Sequence, residues 1–528
     1  MKKTFLILSS LLLWTSLQAQ DYIIPMRKIQ TAVFALNSFY VDSVDNEKLI
    51  NEAMKSIVKN LDPHSEYMSK EEVSEMNEPL QGGFDGIGIS FNMMNDTLFI
   101  VEVITGGPSE KVGLLAGDRI LSVDDEVIAG VKMSNKEVMK RLKGPKGTLV
   151  RIGVKRRGEP ELLEFRIIRD KIPLYSLDAA FMADKKTGYI RLSRFSATTM
   201  KEFKEAFEEL RQQGMEQLIL DLQSNGGGYM NTAVELADEF LPKGRSVVYT
   251  EGLNSPRYQA DASERGSFEK GNLIVLIDEF SASSSEIVAG AVQDWDRGLI
   301  IGRRSFGKGL VQRIFPLGDG TALKLTVSRY YTPSGRCIQK PYREGVEAYG
   351  RDLIERYNRG EMSSADSIHF PDSLRYSTMI EKRTVYGGGG IMPDVFVPVD
   401  TSRYTDLHRE LVNKGILNRF ILTYVDENRR ALLDKYGENS QEFIREFQFD
   451  DELLEGLFKL AIKENVKITD EHRQEDLSVL KLQCKAYMAR DLWKSADYYK
   501  VMAPLNESLQ EALRILGDKK LKARYGLL

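Results

Sequence analysis

Leu273 to Ile287 read LIVLIDEFSASSSEI, and the rest of the chain is interpreted outward from this stretch. Its first five residues are all apolar, which is typical of a buried strand. A polar turn follows, and the next segment is apolar again at Val288 and Ala291, as in a buried helix. A serine at such a corner can expose its hydroxyl beside the unpaired N–H groups of the helix start, which can hold an oxyanion. A serine-rich helix cap would explain the same residues.

A serine nucleophile needs a base, and histidine is scarce in this chain. His64, His369, His408 and His472 are the complete supply, and we expect none of them near the strand–helix core around Ser283. The chain also lacks the Gly-x-Ser-x-Gly pattern of a nucleophile elbow. The sequence therefore argues against a Ser-His-Asp triad.

Lysine can replace histidine when burial keeps its amine neutral, because desolvation lowers the pKa of an amine. Lys308 is the candidate, in the segment Ser305 to Gly309, which reads SFGKG and follows an apolar strand. Its flanking glycines let the backbone pack closely. Taken by itself, the pattern favours a solvated loop lysine over a catalytic one.

Two other motifs overlap this lysine. Gly302 to Lys308 nearly matches a phosphate-binding loop, but Gly309 stands where the magnesium-binding Ser or Thr belongs, and the next residues look extended rather than helical. Ser305-x-x-Lys308 matches the motif of penicillin-binding enzymes, but the Lys-Thr-Gly at 186–188 lies upstream rather than downstream. Covalent β-lactam labelling at Ser305 would support that second interpretation.

Residues 171–400 alternate strand and helix, which predicts an α/β layer domain. Examples are the strand Leu218–Leu222 and the helix Thr198–Gln213. The strand leads into Asp221 to Gly228, which reads DLQSNGGG. Three consecutive glycines leave N–H groups free to approach an anion or oxyanion, although they equally permit a flexible turn.

Residues 83–170 form a second pattern of short β-rich runs, of the size of one small module. Gly86, Ile87, Gly88 and Ile89 open a strand whose N–H groups can receive a peptide carboxylate while the strand edge pairs with the peptide. The motif Gly117-Asp118-Arg119-Ile120 follows within the same small module, and together with Gly86 to Ile89 it strengthens the prediction of a peptide-binding module.

The two ends of the chain are predicted to be a helical segment at 20–82 and a helical region at 401–528. Residues 1–19 combine two lysines, an apolar run and a small residue at Ala19, the layout of a secretory signal peptide. We therefore expect an exported protein, periplasmic or associated with the cell envelope, without a membrane span in its mature form. An uncleaved N-terminal anchor is the alternative.

Composition adds few constraints. The net charge of −4, from 73 basic and 77 acidic residues, gives no bulk attraction to nucleic acid. Cys337 and Cys484 allow one disulfide or two free thiols.

In this order, the motifs resemble the carboxyl-terminal processing peptidases, also called tail-specific proteases. The resemblance covers about residues 30–400. Its landmarks are Leu61 to Ser65 (LDPHS), Gly86 to Ile89, Gly117 to Ile120, Asp221 to Gly228, Ser281 to Glu286, Phe306 to Gln312, Tyr331 to Gly335 and Gly387 to Asp394. The implied fold is a multidomain α/β protein: an α/β protease core with an inserted β-rich PDZ domain and helical N- and C-terminal segments.

The resemblance also implies a site. Ser283 would be the nucleophile, Lys308 the general base and Gln312 the residue that orients the lysine. The N–H groups of Ser284 and Gly227 would form the oxyanion hole. The peptide carboxylate would bind at the PDZ residues Gly86, Ile87, Gly88 and Ile89. No metal or cofactor is implied.

The implied substrates are unfolded or flexible protein C-terminal tails, and the terminal helices could mediate a homodimer as in some relatives. Asp294 matches an aspartate that matters in some members, here expected as structural support. Two departures are Gly226, where the family usually has proline, and Gln223, where it usually has arginine. The competing hypothesis is a non-catalytic PDZ scaffold that only binds exported proteins.

Overall fold

The computed structural model describes residues 23–94, 96–104, 106–437 and 439–527. The predicted signal segment, residues 1–19, lies outside the described residues. The N-terminal elements are α1 (23–39), α2 (Asn46–Lys59), β1 (Glu66–Met68), α3 (Lys70–Leu80) and β2 (Gly83–Gly86). Within the described part of the chain, no helix is both long and apolar enough to cross a bilayer.

The β-rich module follows directly. Its elements are β3 (Ile89–Met94), β4 (Thr97–Val103), α4 (Pro108–Lys111), β5 (Arg119–Val123), β6 (Glu126–Val127), α5 (Asn135–Leu142), β7 (Leu149–Lys155) and β8 (Leu163–Ile168). The strands form an antiparallel sheet in the order β3-β4-β5-β7-β8, around buried residues such as Leu98 and Ile152. Next, β9 (Asp170–Pro173) pairs with β2, so the module leaves and rejoins the core through one two-stranded stem.

The α/β core occupies the middle of the chain. Its elements are β10 (Leu177–Met182), β11 (Thr187–Leu192), α6 (Thr199–Gln212), β12 (Gln217–Asp221), α7 (Met230–Asp238), β13 (Ser246–Gly252), β14 (Ser255–Asp261), β15 (Leu273–Ile277), α8 (Ser284–Asp294), β16 (Leu299–Gly302), β17 (Leu310–Pro316), β18 (Ala322–Tyr331), α9 (Val346–Asn358), β19 (Arg375–Ser377), β20 (Thr384–Tyr386) and β21 (Val395–Phe396).

The central sheet has the order β10-β11-β12-β15-β16-β21 and is parallel from β11 onward. Every residue of β12 and β15 is buried, as expected for parallel strands covered on both faces. Helices α6, α7 and α8 cover one face, packing residues such as Phe203 and Val288 against Leu220 and Val275.

A second, antiparallel sheet joins distant parts of the chain. It runs β1-β18-β13-β14, with β17 also paired to β18. The pairing of Tyr67 with Leu323 brings the N-terminal segment, expected to be helical, into the core as a strand. Helical periodicity alone gave no sign of this contact.

The C-terminal region divides into two parts. Its helices are α10 (Asp406–Asn413), α11 (Ile416–Tyr436), α12 (Ser440–Glu446), α13 (Asp451–Lys463), α14 (Asp470–Gln474), α15 (Ser478–Leu492), α16 (Ser495–Met502), α17 (Glu507–Gly517) and α18 (Lys519–Arg524). Most of the helices from α10 to α16 contribute to one core of their own, around residues such as Leu411 and Phe443. Helix α17 instead packs Leu509 and Ile515 on the second face of the central sheet. The predicted fold class is confirmed.

Candidate active site

Ser283 lies at the corner between β15 and α8 in an unusual backbone conformation. Its φ of +55° and ψ of −113° fall in a region that L-residues rarely adopt. Such strain persists only where the surrounding structure imposes it, and it is concentrated at functional sites. Ala282 and Ser284 on either side are buried, whereas Ser283 is half-buried. The corner thus leaves this serine accessible.

The glycine loop after β12 lies against this corner. A Cβ atom added at Gly227, whose φ is +100°, would lie 2.8 Å from the Ser283 Cβ and 3.0 Å from the Ser284 nitrogen. Only glycine fits there. The N–H of Ser284 has no hydrogen-bond acceptor among the described residues, so it is available to an oxyanion. The N–H of Gly227, in contrast, donates to the Asn225 Oδ1 at 2.9 Å, so its oxyanion role stays a prediction.

Asn225 fixes the loop to the corner. Its side-chain amide donates to the Leu192 carbonyl at 2.9 Å. Its own carbonyl accepts from the Ala282 N–H at 2.9 Å and from the Ser285 hydroxyl at 2.8 Å. The side chain is fully buried, which makes these bonds difficult to break.

Glu286 joins the serine corner to the lysine segment. Its Oε2 accepts from the N–H of Ser283 at 2.8 Å and from the N–H of Lys308 at 2.9 Å. Its Oε1 accepts from the Ser305 hydroxyl at 2.5 Å and from the Gly307 N–H at 2.7 Å. Burial raises the pKa of this carboxyl to about 7, although all four donors oppose the shift.

Sequence reasoning overlooked Glu286. The signal was present, because Ser283-x-x-Glu286 is the spacing of a capping box, in which the glutamate reaches back to the N–H of the first residue. Here the same carboxylate also holds a segment that lies 22 residues further along the chain. Ser283 and Lys308 are thus brought together through their backbones.

Lys308 lies in an environment that favours a neutral amine. Burial lowers its pKa to about 8, and the positive charge of Lys324 acts in the same direction. The carboxylates of Glu286, Glu66 and Asp62 oppose this shift only in part. In the described part of the chain, the Lys308 Nζ makes no hydrogen bond to the Ser283 hydroxyl.

Gln312 lies on β17, and in the described part of the chain no hydrogen bond joins its side chain to Lys308. Its amide donates to the Thr326 hydroxyl at 3.3 Å, and that hydroxyl donates to the Asp62 Oδ1 at 2.9 Å. The Ser65 hydroxyl donates to the same carboxylate at 2.5 Å. The predicted role of Gln312 as the residue that orients Lys308 stays a prediction.

The expectation that no histidine lies near the site is wrong for His64. His64 lies just before β1, and the pairing of β1 with β18 places it close enough to Lys308 for the two side chains to interact electrostatically. Burial and the Lys308 charge lower the pKa of His64 to about 4, and its Nε2 is hydrogen-bonded to the Tyr349 hydroxyl at 2.9 Å. A neutral imidazole adds no charge beside the lysine.

Two further residues are structural. Ser305 is fully buried, donates to Glu286 and accepts from the Ile391 N–H at 2.7 Å, which leaves it inaccessible to an acylating reagent. Asp294 is also fully buried and holds the turn after β18 through the Ser334 N–H at 2.9 Å and Arg336 at 2.7 Å. This arrangement agrees with its expected supporting role.

The β-rich module carries an apolar cavity of about 70 Å³ beside the start of β3. Its lining includes all four predicted peptide-binding residues, Gly86, Ile87, Gly88 and Ile89, together with Phe84, Phe91, Met139, Leu142 and Lys143. A strand edge with an apolar pocket beside it suits an extended peptide with an apolar last residue.

Comparison with known families agrees with this organisation. The family described as "Peptidase family S41" matches residues 186–348, and the one described as "PDZ domain" matches residues 86–167. "Activating protease CtpB N-terminal domain" matches residues 15–72, and a "Family of unknown function" matches residues 407–494.

Two individual relatives agree with these family matches. The carboxy-terminal-processing protease of Bartonella bacilliformis is 37% identical over 338 residues, covering 61% of this chain and 77% of that protein. The carboxy-terminal processing protease CtpB of Bacillus subtilis is 35% identical over 330 residues, covering 61% and 66%. A solved structure of the photosystem II D1 C-terminal processing protease covers 68% of this chain and 84% of its own, at 26% identity and a TM-score of 0.36.

The fold, the serine corner and the matched domains define a serine-type peptidase with a PDZ domain. The chain belongs to the carboxy-terminal processing proteases of peptidase family S41.

Proposed function

We propose that this chain is an exported endopeptidase that binds flexible protein C-terminal tails through its PDZ domain and cleaves them through an acyl-enzyme on Ser283, with Lys308 as general base. One observation carries the proposal: a single oxygen of Glu286 holds the backbones of the strained serine and of the lysine whose pKa is lowered to about 8.

The proposed reaction begins with a neutral Lys308 amine. Substrate binding brings the Lys308 Nζ within reach of the Ser283 hydroxyl. Nζ takes the proton of this hydroxyl while Oγ bonds to the scissile carbonyl carbon. The Ser284 N–H stabilises the oxyanion. The intermediate then expels the amine product, which receives the proton from the Lys308 ammonium. Lys308 then takes a proton from water, and the hydroxide bonds to the acyl carbon. The C–Oγ bond breaks, the acid product leaves, and Oγ recovers its proton from the Lys308 ammonium.

Purified Ser283→Ala and Lys308→Ala variants test this scheme. Both should remain folded and lose cleavage of an unstructured polypeptide with a free C-terminus. The matched control is Lys186→Ala, because Lys186 is an exposed lysine paired with Glu216. Wild-type activity in Lys308→Ala would reject the mechanism. Equal rates of cleavage for the same polypeptide with a free and with an amidated C-terminus would reject binding of the tail carboxylate by the PDZ domain.

Export is proposed from the composition of residues 1–19. The mature protein should begin at Gln20 and be recovered outside the cytoplasm. N-terminal sequencing of the protein from separated cell fractions measures both properties. A cytoplasmic protein that retains Met1 would contradict this part of the proposal.

We also propose self-association through α1 and α2. Apolar side chains on and beside these helices are exposed, among them Phe34, Phe39 (80%) and Val41 (87%). A second copy of the chain would bury them. Light scattering should report a dimer, and Phe34→Glu with Phe39→Glu should give a monomer. A monomeric wild type at micromolar concentration would refute the dimer.

A further inference from the structure

One carboxylate of the helical module, defined here as α10 to α15, is buried against the PDZ domain. Asp426 lies on α11, and its side chain is only 6% exposed. Its Oδ2 lies 2.9 Å from the Arg119 Nη2 and 3.4 Å from the Arg157 Nε. A carboxylate removed from water needs partners of this kind, so the contact depends on both arginines.

The PDZ domain has a backbone shape that admits this carboxylate. A Cβ atom at Gly117 would lie 2.8 Å from the Asp426 Oδ1, and the φ of Gly117 is +99°. Gly117 and Arg119 belong to the motif by which the sequence predicted the PDZ domain. In this chain, the same motif also forms the contact with the helical module.

A cavity lies between the PDZ domain and the helical module beside this contact. Met94, at the end of β3, borders a cavity of about 330 Å³ together with Phe420 and Tyr424 of the helical module. Arg157 also pairs with the half-exposed Glu427 at 3.3 Å. The ion pairs at Asp426 therefore join the two parts beside this cavity and restrain their separation.

The contact with the helical module lies apart from the apolar pocket at the start of β3. The residues that line the pocket come from the start of β3 and from α5. The contact with the helical module uses Met94 at the far end of β3, Gly117 just before β5, Arg119 at the start of β5, and Arg157 after β7. The pocket for the last residue of a tail therefore shares no lining residue with the cavity at the helical module.

The stem of the PDZ domain lies near the active site. Next to the β2–β9 stem, the Ala197 N–H donates to the Leu80 carbonyl at 2.8 Å. Two residues earlier, the Phe195 N–H donates to the carbonyl of Gly227 in the loop beside Ser283 at 2.9 Å. A two-stranded stem by itself permits the PDZ domain to rotate as on a hinge. The contact with the helical module is a second attachment that restricts this rotation.

We propose that the helical module fixes the distance between the PDZ groove and Ser283, and so determines how far from the carboxyl terminus a tail is cut. This proposal rests on the proposed function. An extended chain advances roughly 3.3 Å per residue, so a fixed separation selects one narrow range of cut positions.

The test compares Asp426→Arg with Asp434→Arg. Asp434 lies on the same helix and carries an exposed ion pair with Arg430, so it is a matched control. Spin labels at Val127→Cys and Ile462→Cys, both exposed positions, report the distance from the PDZ domain to the helical module in a Ser283→Ala, Cys337→Ser background. Active enzyme, with Ser283 intact, then cuts an unstructured polypeptide that ends in leucine, and mass spectrometry records the cut positions.

Asp426→Arg should broaden the distance distribution by about twofold or more and spread the cuts over additional positions. Asp434→Arg should match the wild type in both measurements. Adding Arg119→Glu and Arg157→Glu to Asp426→Arg should restore the narrow distribution, which a merely misfolded variant would not do. Thermal melting confirms that each variant is folded.

An unchanged distance distribution in Asp426→Arg would overturn the proposal, and so would a broadened distribution with unchanged cut positions. If the wild type cuts no tail at all, the proposed function fails, and the spin-label distances still decide whether the helical module restrains the PDZ domain.

Discussion

Replacing Glu286 by glutamine removes one acceptor oxygen without changing the shape of the side chain. The carboxylate now accepts from four donors, two on each oxygen. A carboxamide has one acceptor oxygen and one NH₂ group, which is itself a donor. If the NH₂ group turns toward Ser283 and Lys308, two buried N–H donors face another donor. If it turns the other way, only the Gly307 N–H does, because the Ser305 hydroxyl can also accept.

The magnitude follows from the two donors of the first orientation. A buried donor left unsatisfied costs about 1–3 kcal/mol, so two cost roughly 2–6 kcal/mol. The neutral amide also removes the cost of burying a charge, which raises the pKa of Glu286 to about 7, so we expect the free energy of unfolding to fall by no more than about 3 kcal/mol. If the amide group faces Ser283 and Lys308, the two backbones lose their common acceptor. A comparable loss of about 3 kcal/mol in the transition state corresponds to a roughly 100-fold lower kcat.

The assay measures unfolding by urea and kcat on an unstructured tailed polypeptide. The control is Glu239→Gln, since Glu239 is a buried carboxylate that accepts from the Ser267 N–H and hydroxyl and lies away from the site. It should lose stability and keep its kcat. A kcat within twofold of the wild type in Glu286→Gln, or an equal loss of kcat in Glu239→Gln, would refute this reasoning.

The remaining predictions concern titration and packing. The value of kcat/KM should rise with pH through about 8 and then level off, because the Lys308 amine must be neutral. A rise of kcat/KM centred near pH 6 would contradict this prediction. In the folded protein the pKa of Lys308 is about 8, below its ordinary value of 10.5. Between pH 8 and pH 10.5 the unfolded chain therefore binds more protons at Lys308 than the folded protein does, so the free energy of unfolding rises with pH over this range. Lys308→Met should therefore raise the unfolding free energy at pH 7 by about 3 kcal/mol, a gain that shrinks toward pH 10.5 in denaturant titrations. Ile515→Ala, in the buried face of α17, should cost about 3 kcal/mol in a thermal melt, whereas Ile462→Ala at an exposed position should cost less than about 0.5 kcal/mol.

Local patterns in this sequence predicted local structure well. The strand Leu273–Ile277 occurs with the same bounds, and the helix predicted at Thr198–Gln213 occurs at Thr199–Gln212. Both depend on periodicity within a single element, which burial of that element reinforces. The family resemblance added the roles of Ser283 and Lys308, which neither residue type nor spacing establishes alone.

Contacts between distant segments were not predictable in the same way. Nothing in the LDPHS motif indicates that Ser65 donates to Asp62 beside Thr326, or that His64 lies near Lys308. Those contacts arise from one strand pairing, β1 with β18, between residues more than 250 positions apart. Register between such strands depends on the whole assembled core, which a single sequence does not display.

The Gln223 departure has a physical explanation in the C-terminal region. Its Oε1 accepts from the Asn506 Nδ2 at 2.9 Å, and its amide donates to the Ser508 hydroxyl at 3.4 Å, where α17 begins. An arginine there could not accept a hydrogen bond, and its charge would face the positive end of the helix dipole.

Gln223→Arg should therefore destabilise the protein by about 1–2 kcal/mol. Gln223→Glu, which keeps an acceptor for Asn506, should match the wild type. Urea unfolding of the two variants compares them directly. Because Gln223 leads into the loop that packs on Ser283, the arginine variant should also lower kcat, and the glutamate variant should not. Equal stability of the two variants would show that α17 does not depend on this residue.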